Sequence, residues 1–395
     1  MNLCILPWIN FSTNTFGRPR VCGYSEVKTP VKLKDSNISS EWNSQYFKDI
    51  RKDFLDGNWP ENCKRCKYVE SLGGVSKRMD ENGFWYEKYK NLIDNTSTDG
   101  AVDYEPPHID VRTGTTCNLK CIHCGTGASS KWKEDKQLLN KYPNTENYVI
   151  DNKWIETDTE FWDNLRSVIH QTKRYNFLGG ESFANKRHNE FLKELSESQY
   201  AKDVDLAYVS NGTLINKARL DQLSKFKSVT MRLSIDALEK AGEYFRFPIK
   251  WDSFMKQLKF IDSYIVGKEN FDFGVQWTCS NISMFYLTDT YDTIKNEFPN
   301  IKFLFCNHVE WPIHMSAQNL PLELKEKIKE KIENYEFNDR DSDSYKFYIS
   351  HMMDKNLWTE YGTTFMNYID DLDSARNISW KYSFSEMELQ KYDPR

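Results

Sequence analysis

Cys117-Asn-Leu-Lys-Cys121-Ile-His-Cys124 is a C-x3-C-x2-C run of three thiols on one short stretch. Three thiolates alone cannot complete a tetrahedral zinc site. His123 lies between two of them and would have to fold back to serve as a fourth ligand. A [4Fe–4S] cube can take three thiolates and leave one iron open to a small chelating molecule. A distorted zinc knuckle or a chance cluster is the bland alternative. A second set, Cys4, Cys22, Cys63 and Cys66, supplies four thiols upstream, and Cys63-Lys-Arg-Cys66 has the spacing of a zinc knuckle. Cys279 and Cys306 stand alone and read as small packing residues. Donation of a hydrogen atom to a substrate radical is their sharper alternative.

The elements that must position these thiols follow from apolar periodicity. Strand-like alternation covers 108–114, 174–179, 204–210, 228–235, 271–279 and 301–307. Helical spacing lies between them, as in Trp162, Leu165, Val168 and Ile169, or Phe254, Leu258 and Ile261. Six such repeats over 105–310 predict an α/β fold, a partial (β/α)6 TIM-type barrel. The triad then sits just past the carboxyl end of the first strand, the edge where parallel sheets build their sites. Residues 126–156 are polar and read as an inserted loop or lid. Residues 1–100 show no βα rhythm and form a small Cys-rich N-terminal module. Residues 311–395 form a helical C-terminal extension, with Leu324, Ile328, Ile332 and Tyr335 on one helix face and a polar linker at 338–345.

Composition sets the compartment and excludes several classes. The 395 residues hold 53 Lys+Arg and 58 Asp+Glu, a net charge of -5, which argues against a nucleic-acid protein held by general charge. No apolar run is long enough for a transmembrane span. The start, MNLCILPWIN, lacks a basic n-region, so no signal peptide is expected. Nine cysteines, an odd number, fit reduced thiols in the cytoplasm better than a disulfide framework.

Further motifs fall at successive strand ends: Gly179-Gly180-Glu181, Ser210-Asn211-Gly212-Thr213, Ser234-Ile235-Asp236 and Tyr244-Phe245-Arg246. Each has an ordinary reading as a turn, a helix cap or a surface ion pair. Together with the cysteine run they resemble the motif series of the radical S-adenosylmethionine (SAM) enzymes. The departure is Ser182, where that family commonly has Pro after Gly-Gly-Glu.

The resemblance implies a SAM-binding [4Fe–4S] cluster on Cys117, Cys121 and Cys124, with His123 as the usual aromatic before the last ligand. It implies that Gly179, Gly180 and Glu181 hold the methionine amino group, and that Ser210 and Asn211 lie near the ribose. Ser234 and Arg246 would contact the ribose or carboxylate end, and Asp236 would be a further cofactor-binding residue. Cys4-Ile-Leu-Pro-Trp8, Gly17 before Cys22, and Cys63-x2-Cys66-x3-Glu70 are similar to half of the twitch and SPASM modules of that family. There a Cys-x-x-Pro-Trp strand runs into a hairpin, and the module holds an auxiliary iron–sulfur cluster; zinc remains the alternative here. The implied activity is reductive cleavage of SAM to a 5′-deoxyadenosyl radical that takes hydrogen from a substrate. The implied partners are a peptide or protein side chain and a reductant such as flavodoxin or ferredoxin. Oxidation of a small molecule (an amino sugar or nucleoside) is the second reading, and a non-catalytic metal-binding protein the third.

Overall fold

The computed structural model describes residues 3–26, 32–146, 154–157, 159–338 and 344–395. Eight strands are ordered β2-β1-β3-β4-β5-β6-β7-β8, a series that does not close on itself. They are β1 (Asn10–Thr13), β2 (Pro19–Arg20), β3 (His108–Arg112), β4 (Arg174–Leu178), β5 (Asp205–Ser210), β6 (Ser228–Ser234), β7 (Phe271–Cys279) and β8 (Lys302–His308). This is an α/β fold with an open, largely parallel sheet, a partial barrel, and six of the strands fall where the alternation predicts them. The chain divides into two compact units.

The first unit comprises Met1–Gly114, Ile150–Tyr208 and Lys217–Thr230. Its sheet holds two strands that periodicity misses. Asn10-Phe-Ser-Thr13 is buried throughout and, at four residues, too short for its alternation to stand out, yet it pairs in parallel with β3. It turns through Gly17, whose φ is 75°, into an antiparallel hairpin with β2. The Cys4-x-x-Pro-Trp segment is not itself a strand. Leu6–Ile9 make one helical turn, with Pro7 in its first positions, and the strand starts only at Asn10.

One guanidinium ties this N-terminal part together. Arg51 is fully buried and donates to the carbonyls of Pro7 (2.9 Å), Trp42 (2.9 Å) and Gly100 (3.2 Å) while stacking over the Trp42 ring at 4.4 Å. Beta-strand pairs then carry the core outward: Tyr175 and Phe177 of β4 pack on Phe191 of the helix Lys186–Glu197.

The second unit comprises Thr115–Val149, Val209–Asn216 and Met231–Arg395. Here β7 and β8 pair in parallel through a register shift at Trp277/Thr278. Helices Leu322–Glu333, Ser344–Asp354 and Trp358–Arg376 supply the expected helical C-terminal part. Leu324, Ile328 and Ile332 are buried along the first of them, and Tyr335 lies just past its end, half-buried. Most of the expected linker at 338–345, and 147–153 of the expected loop at 126–156, lie outside the described residues. Residues 126–146 form three short 3₁₀ turns with Trp132, Leu138 and Thr145 buried, and the end of the expected loop is a helical turn, Trp154–Thr157. No helix among the described residues is long and apolar enough to cross a membrane.

Two predictions follow from burial. Arg51→Met should lower stability by about 3 kcal/mol or more, read from urea unfolding, because three buried carbonyls lose their donor; an unchanged midpoint contradicts this. Burial also depresses the histidines: His108, His188 and His351 to about 3 and His314 to about 4. Each folded pKa lies below its unfolded value, so the contribution is complete above about pH 6.5 and is lost as pH falls towards the folded values. The urea midpoint should therefore drop steadily between about pH 6.5 and 4, and a flat profile there would exclude it.

Candidate active site

The cysteine run lies in the second unit, on a loop held by several backbone hydrogen bonds. The N–H groups of Lys120 and Ile122 donate to the carbonyls of Phe247 (2.8 Å) and Phe245 (2.9 Å). Trp132 Nε1 donates to the Cys121 carbonyl (3.2 Å), Tyr368 Oη to that of Ile122 (2.6 Å) and Asn144 Nδ2 to that of Cys124 (2.6 Å). Buried backbone groups satisfied in this way hold one conformation. Gly125, next to the last cysteine, allows the closest approach: a Cβ there would lie 1.9 Å from the carbonyl oxygen of Asn144.

Within that loop Cys121 is buried, and Cys117 and Cys124 are half-buried. The Leu119 N–H donates to Cys117 Sγ (3.4 Å). A hydrogen bond from Cys124 lowers the pKa of Cys121, aided by Arg246, and raises that of Cys124. Arg246 Nη1 lies 3.9 Å from Cys121 Sγ, and its Nη2 pairs with Asp236 at 2.6 Å. Both charges are buried, so neither can be removed without stranding the other. Asp236 also accepts from the Thr278 N–H (3.3 Å). His123 packs on Phe245 at 5.0 Å, and burial pushes its pKa down to about 4. Behind the loop, buried Asp135 accepts from Lys120 and from Arg376 Nε (2.9 Å), and Arg376 lies over the Trp132 ring at 4.6 Å.

A second tract of the same unit joins the loop through a residue that the motifs do not single out. Asn118, between the first two cysteines, accepts from Asn211 Nδ2 (2.8 Å) and donates to Thr213 Oγ1 (2.7 Å). Asn211 Oδ1 in turn accepts from Thr213 N and Oγ1. Ser210 is buried and accepts from Gly212 N (3.0 Å), where φ is 76°. Ser234, half-buried, ends β6. Only long-range contacts could have revealed Asn118, Asn144 and Tyr368.

The residues of this unit fit a [4Fe–4S] cluster held by three thiolates. The donor set is all sulfur, an N–H points at Cys117, a buried cation stands beside Cys121, and the buried Nε of Arg246 and Nδ1 of His123 have no hydrogen-bond partner. Among the described residues, no three Cys, His, Asp or Glu side chains converge as a ready-made site for one metal ion.

The Gly-Gly-Glu tract belongs to the first unit, at the carboxyl end of β4. Gly179 has φ 140°, and a Cβ on it would meet the Gly114 carbonyl at 2.8 Å and Thr113 N at 2.9 Å. The Gly180 N–H donates to the same carbonyl (2.9 Å). Glu181 is fully buried and accepts from Phe183 N (3.3 Å). Ser182 hydrogen-bonds Thr113 Oγ1 at 3.1 Å.

The other four cysteines also lie in the first unit, where Cys4, Cys22, Cys63 and Cys66 line one pocket, partly open to solvent. Burial, then the neighbouring sulfurs, raises the thiol pKa of Cys4, Cys63 and Cys66. Four thiols on one pocket are a donor set of the kind that holds a metal centre. The helix Lys77–Tyr89 pins the Cys4 segment: Asn82 accepts from Ile5 N (2.9 Å) and donates to the Leu3 carbonyl (2.7 Å). Cys279 ends β7 fully buried, its thiol pKa raised by burial; the Cys306 side chain lies outside the described residues.

Gly125→Ala should open the cysteine loop, lower stability by about 2 kcal/mol and speed thiol-reagent labelling of Cys117 and Cys124 in metal-free protein. Unchanged labelling would show that the loop tolerates a Cβ.

Residues 111–268 match the model of the Radical SAM superfamily. No curated protein matches significantly. Among solved structures, Streptococcus suis SuiB is similar at 16% identity, covering 82% of this chain and 67% of its own, with a TM-score of 0.40. SuiB bound to S-adenosylmethionine gives 16%, 82%, 68% and 0.38. SuiB bound to its precursor peptide SuiA gives 15%, 82%, 68% and 0.35. The matched segment runs from β3 through the cysteine loop to the helix Trp251–Ile265. Residues 111–268 are therefore similar to a radical SAM domain.

Proposed function

We propose that Cys117, Cys121 and Cys124 hold the SAM-binding [4Fe–4S] cluster, and that the enzyme abstracts hydrogen from a peptide or protein side chain. The observation that carries this reading is the ordered three-cysteine loop with Arg246 at 3.9 Å from Cys121 inside the matched segment. Bound there with SAM, such a cluster supplies one electron to the sulfonium, and cleavage gives methionine and the 5′-deoxyadenosyl radical.

The protein's own residues orient and shield. Gly179 and Gly180 expose backbone at a strand end where no Cβ intrudes, which suits close approach by the methionine amino group, with Glu181 as its acceptor. Ser210 and Asn211 serve the ribose, and Ser234, Asp236 and Arg246 the ribose or carboxylate. Arg246 does two jobs: it offsets negative charge at the sulfurs, and its pair with Asp236 keeps it in place. His123 packs beside the last ligand and stays neutral.

Cys4, Cys22, Cys63 and Cys66 hold an auxiliary iron–sulfur cluster in a twitch-like module placed N-terminally. The four share one pocket, and what supports a cluster over zinc is the likeness of the Cys4, Cys22 and Cys63/Cys66 tracts to those modules. The peptide substrate rests on the same likeness; a small molecule such as an amino sugar or nucleoside is the second reading. A flavodoxin or ferredoxin is the reductant, and the cytoplasm, where thiols stay reduced, is the compartment.

Anaerobic reconstitution followed by dithionite and SAM tests the reading. The wild type should hold about eight irons and release 5′-deoxyadenosine, whereas Cys121→Ala should hold about four and release none. Zinc without cleavage in the wild type, or cleavage surviving in Cys121→Ala, contradicts the assignment. A mass change on a co-expressed peptide marks the substrate as peptide; turnover of an amino sugar or nucleoside alone marks it as small.

A further inference from the structure

In the first unit, three strands present polar side chains on the face opposite their apolar one. The register sets Asn10, His108 and Arg174 in one row across β1, β3 and β4, and Ser12, Asp110 and Asn176 in the next. The intervening Phe11, Ile109, Tyr175 and Phe177 are buried on the other face, as a period of two requires. Closed barrels fill the corresponding inner layers with branched apolar side chains. Here the face opens on a pocket, partly open to solvent, lined by Lys77, Glu81, His108, Asp110, Arg174 and Asn176 among others.

The partners within this pocket are uneven. Lys77 Nζ donates to Glu81 Oε1 (2.6 Å), and Trp85 Nε1 holds Glu81 Oε2 (2.9 Å). His108 sits edge-on to Trp85 at 4.6 Å, and burial keeps it neutral. Asp110 is 3% exposed, yet its Oδ1 has no hydrogen-bond partner among the described residues. A buried carboxylate oxygen in that state calls for a donor. The lining balances Lys77 and Arg174 against Glu81 and Asp110, so it favours neither a bare cation nor a bare anion. Adjacent rows on one face lie roughly 7 Å apart along the strands, a span that a charge-separated small molecule can bridge.

We propose that this pocket binds a small zwitterion of the α-amino acid class, its ammonium donating to Asp110 and its carboxylate facing Arg174. The pocket lies at the amino-terminal half of β3 and β4, whereas Gly114 and Gly179–Glu181 follow their carboxyl ends. The ligand is therefore not the reacting substrate of the strand-end motifs. Leu6 and Lys77 line both this pocket and that of the four N-terminal cysteines, so an occupant sits next to that centre.

Calorimetric titration of the anaerobically purified, metal-loaded full chain with free amino acids tests the proposal, with methylamine and acetate as single-charge probes. At least one amino acid should bind at millimolar concentration or below, methylamine and acetate should bind about tenfold more weakly or worse, and Asp110→Asn should weaken the amino acid about tenfold. Should Asp110→Asn fail to fold, Asn176→Ala on the half-buried pocket wall should weaken it several-fold. Absence of binding by every amino acid, methylamine binding as tightly as an amino acid, or undiminished binding by the folded variants overturns the proposal. SAM cleavage measured on the same preparation separates failure here from failure of the strand-end assignment.

Discussion

The cysteine loop depends on two backbone hydrogen bonds that straddle one arginine. Lys120 and Ile122 donate to the carbonyls of residues 247 and 245, and the residue between them is Arg246. Fixing both flanking carbonyls fixes the direction in which Arg246 leaves the chain, which is towards Cys121. Asp236 then holds the guanidinium from its other side. Charge and sulfur meet here because of backbone geometry, and a long flexible side chain is thereby ordered with little further entropy to lose.

Around that contact the second unit invests buried polar groups where apolar ones would be simpler. Asp135 joins Lys120 and Arg376, and Tyr368 caps the Ile122 carbonyl while its ring packs on Trp132. Such networks are costly when incomplete, since removal of one member leaves another charge or carbonyl buried and unpaired. Satisfied, they hold a loop rigid that has no regular secondary structure of its own. Rigidity at this point suits chemistry in which a reactive species must meet one bond and not another.

Much of this was legible in the chain. Strands at 108–112, 174–178 and 271–279 follow from alternation, and the triad, being local in sequence, follows from spacing alone. β1 was not legible, because four residues are too few for alternation to stand out from chance. The expected Cys4 strand is a helical turn instead, since Pro7 fits the first turn of a helix and strand pairing begins only at Asn10. Residues 126–146 read as a polar loop, but tertiary packing buries Trp132, Leu138 and Asp135, and polar composition gave no hint of it. Asn118, Asn144 and Tyr368 act through partners 93, 20 and 246 residues away in the chain, beyond the reach of any local pattern. The four N-terminal cysteines were visible as a set, while the pocket they share was not.

The central claim is that the three-cysteine loop carries a cluster with one iron left for SAM. Electron paramagnetic resonance of the reduced, reconstituted chain, recorded with and without SAM, tests it most directly. The account predicts that one cluster signal changes when SAM is added, that this signal is absent in Cys121→Ala, and that a second, SAM-insensitive signal remains in that variant. Spectra that do not change with SAM, or a SAM-sensitive signal that survives Cys121→Ala, would contradict it.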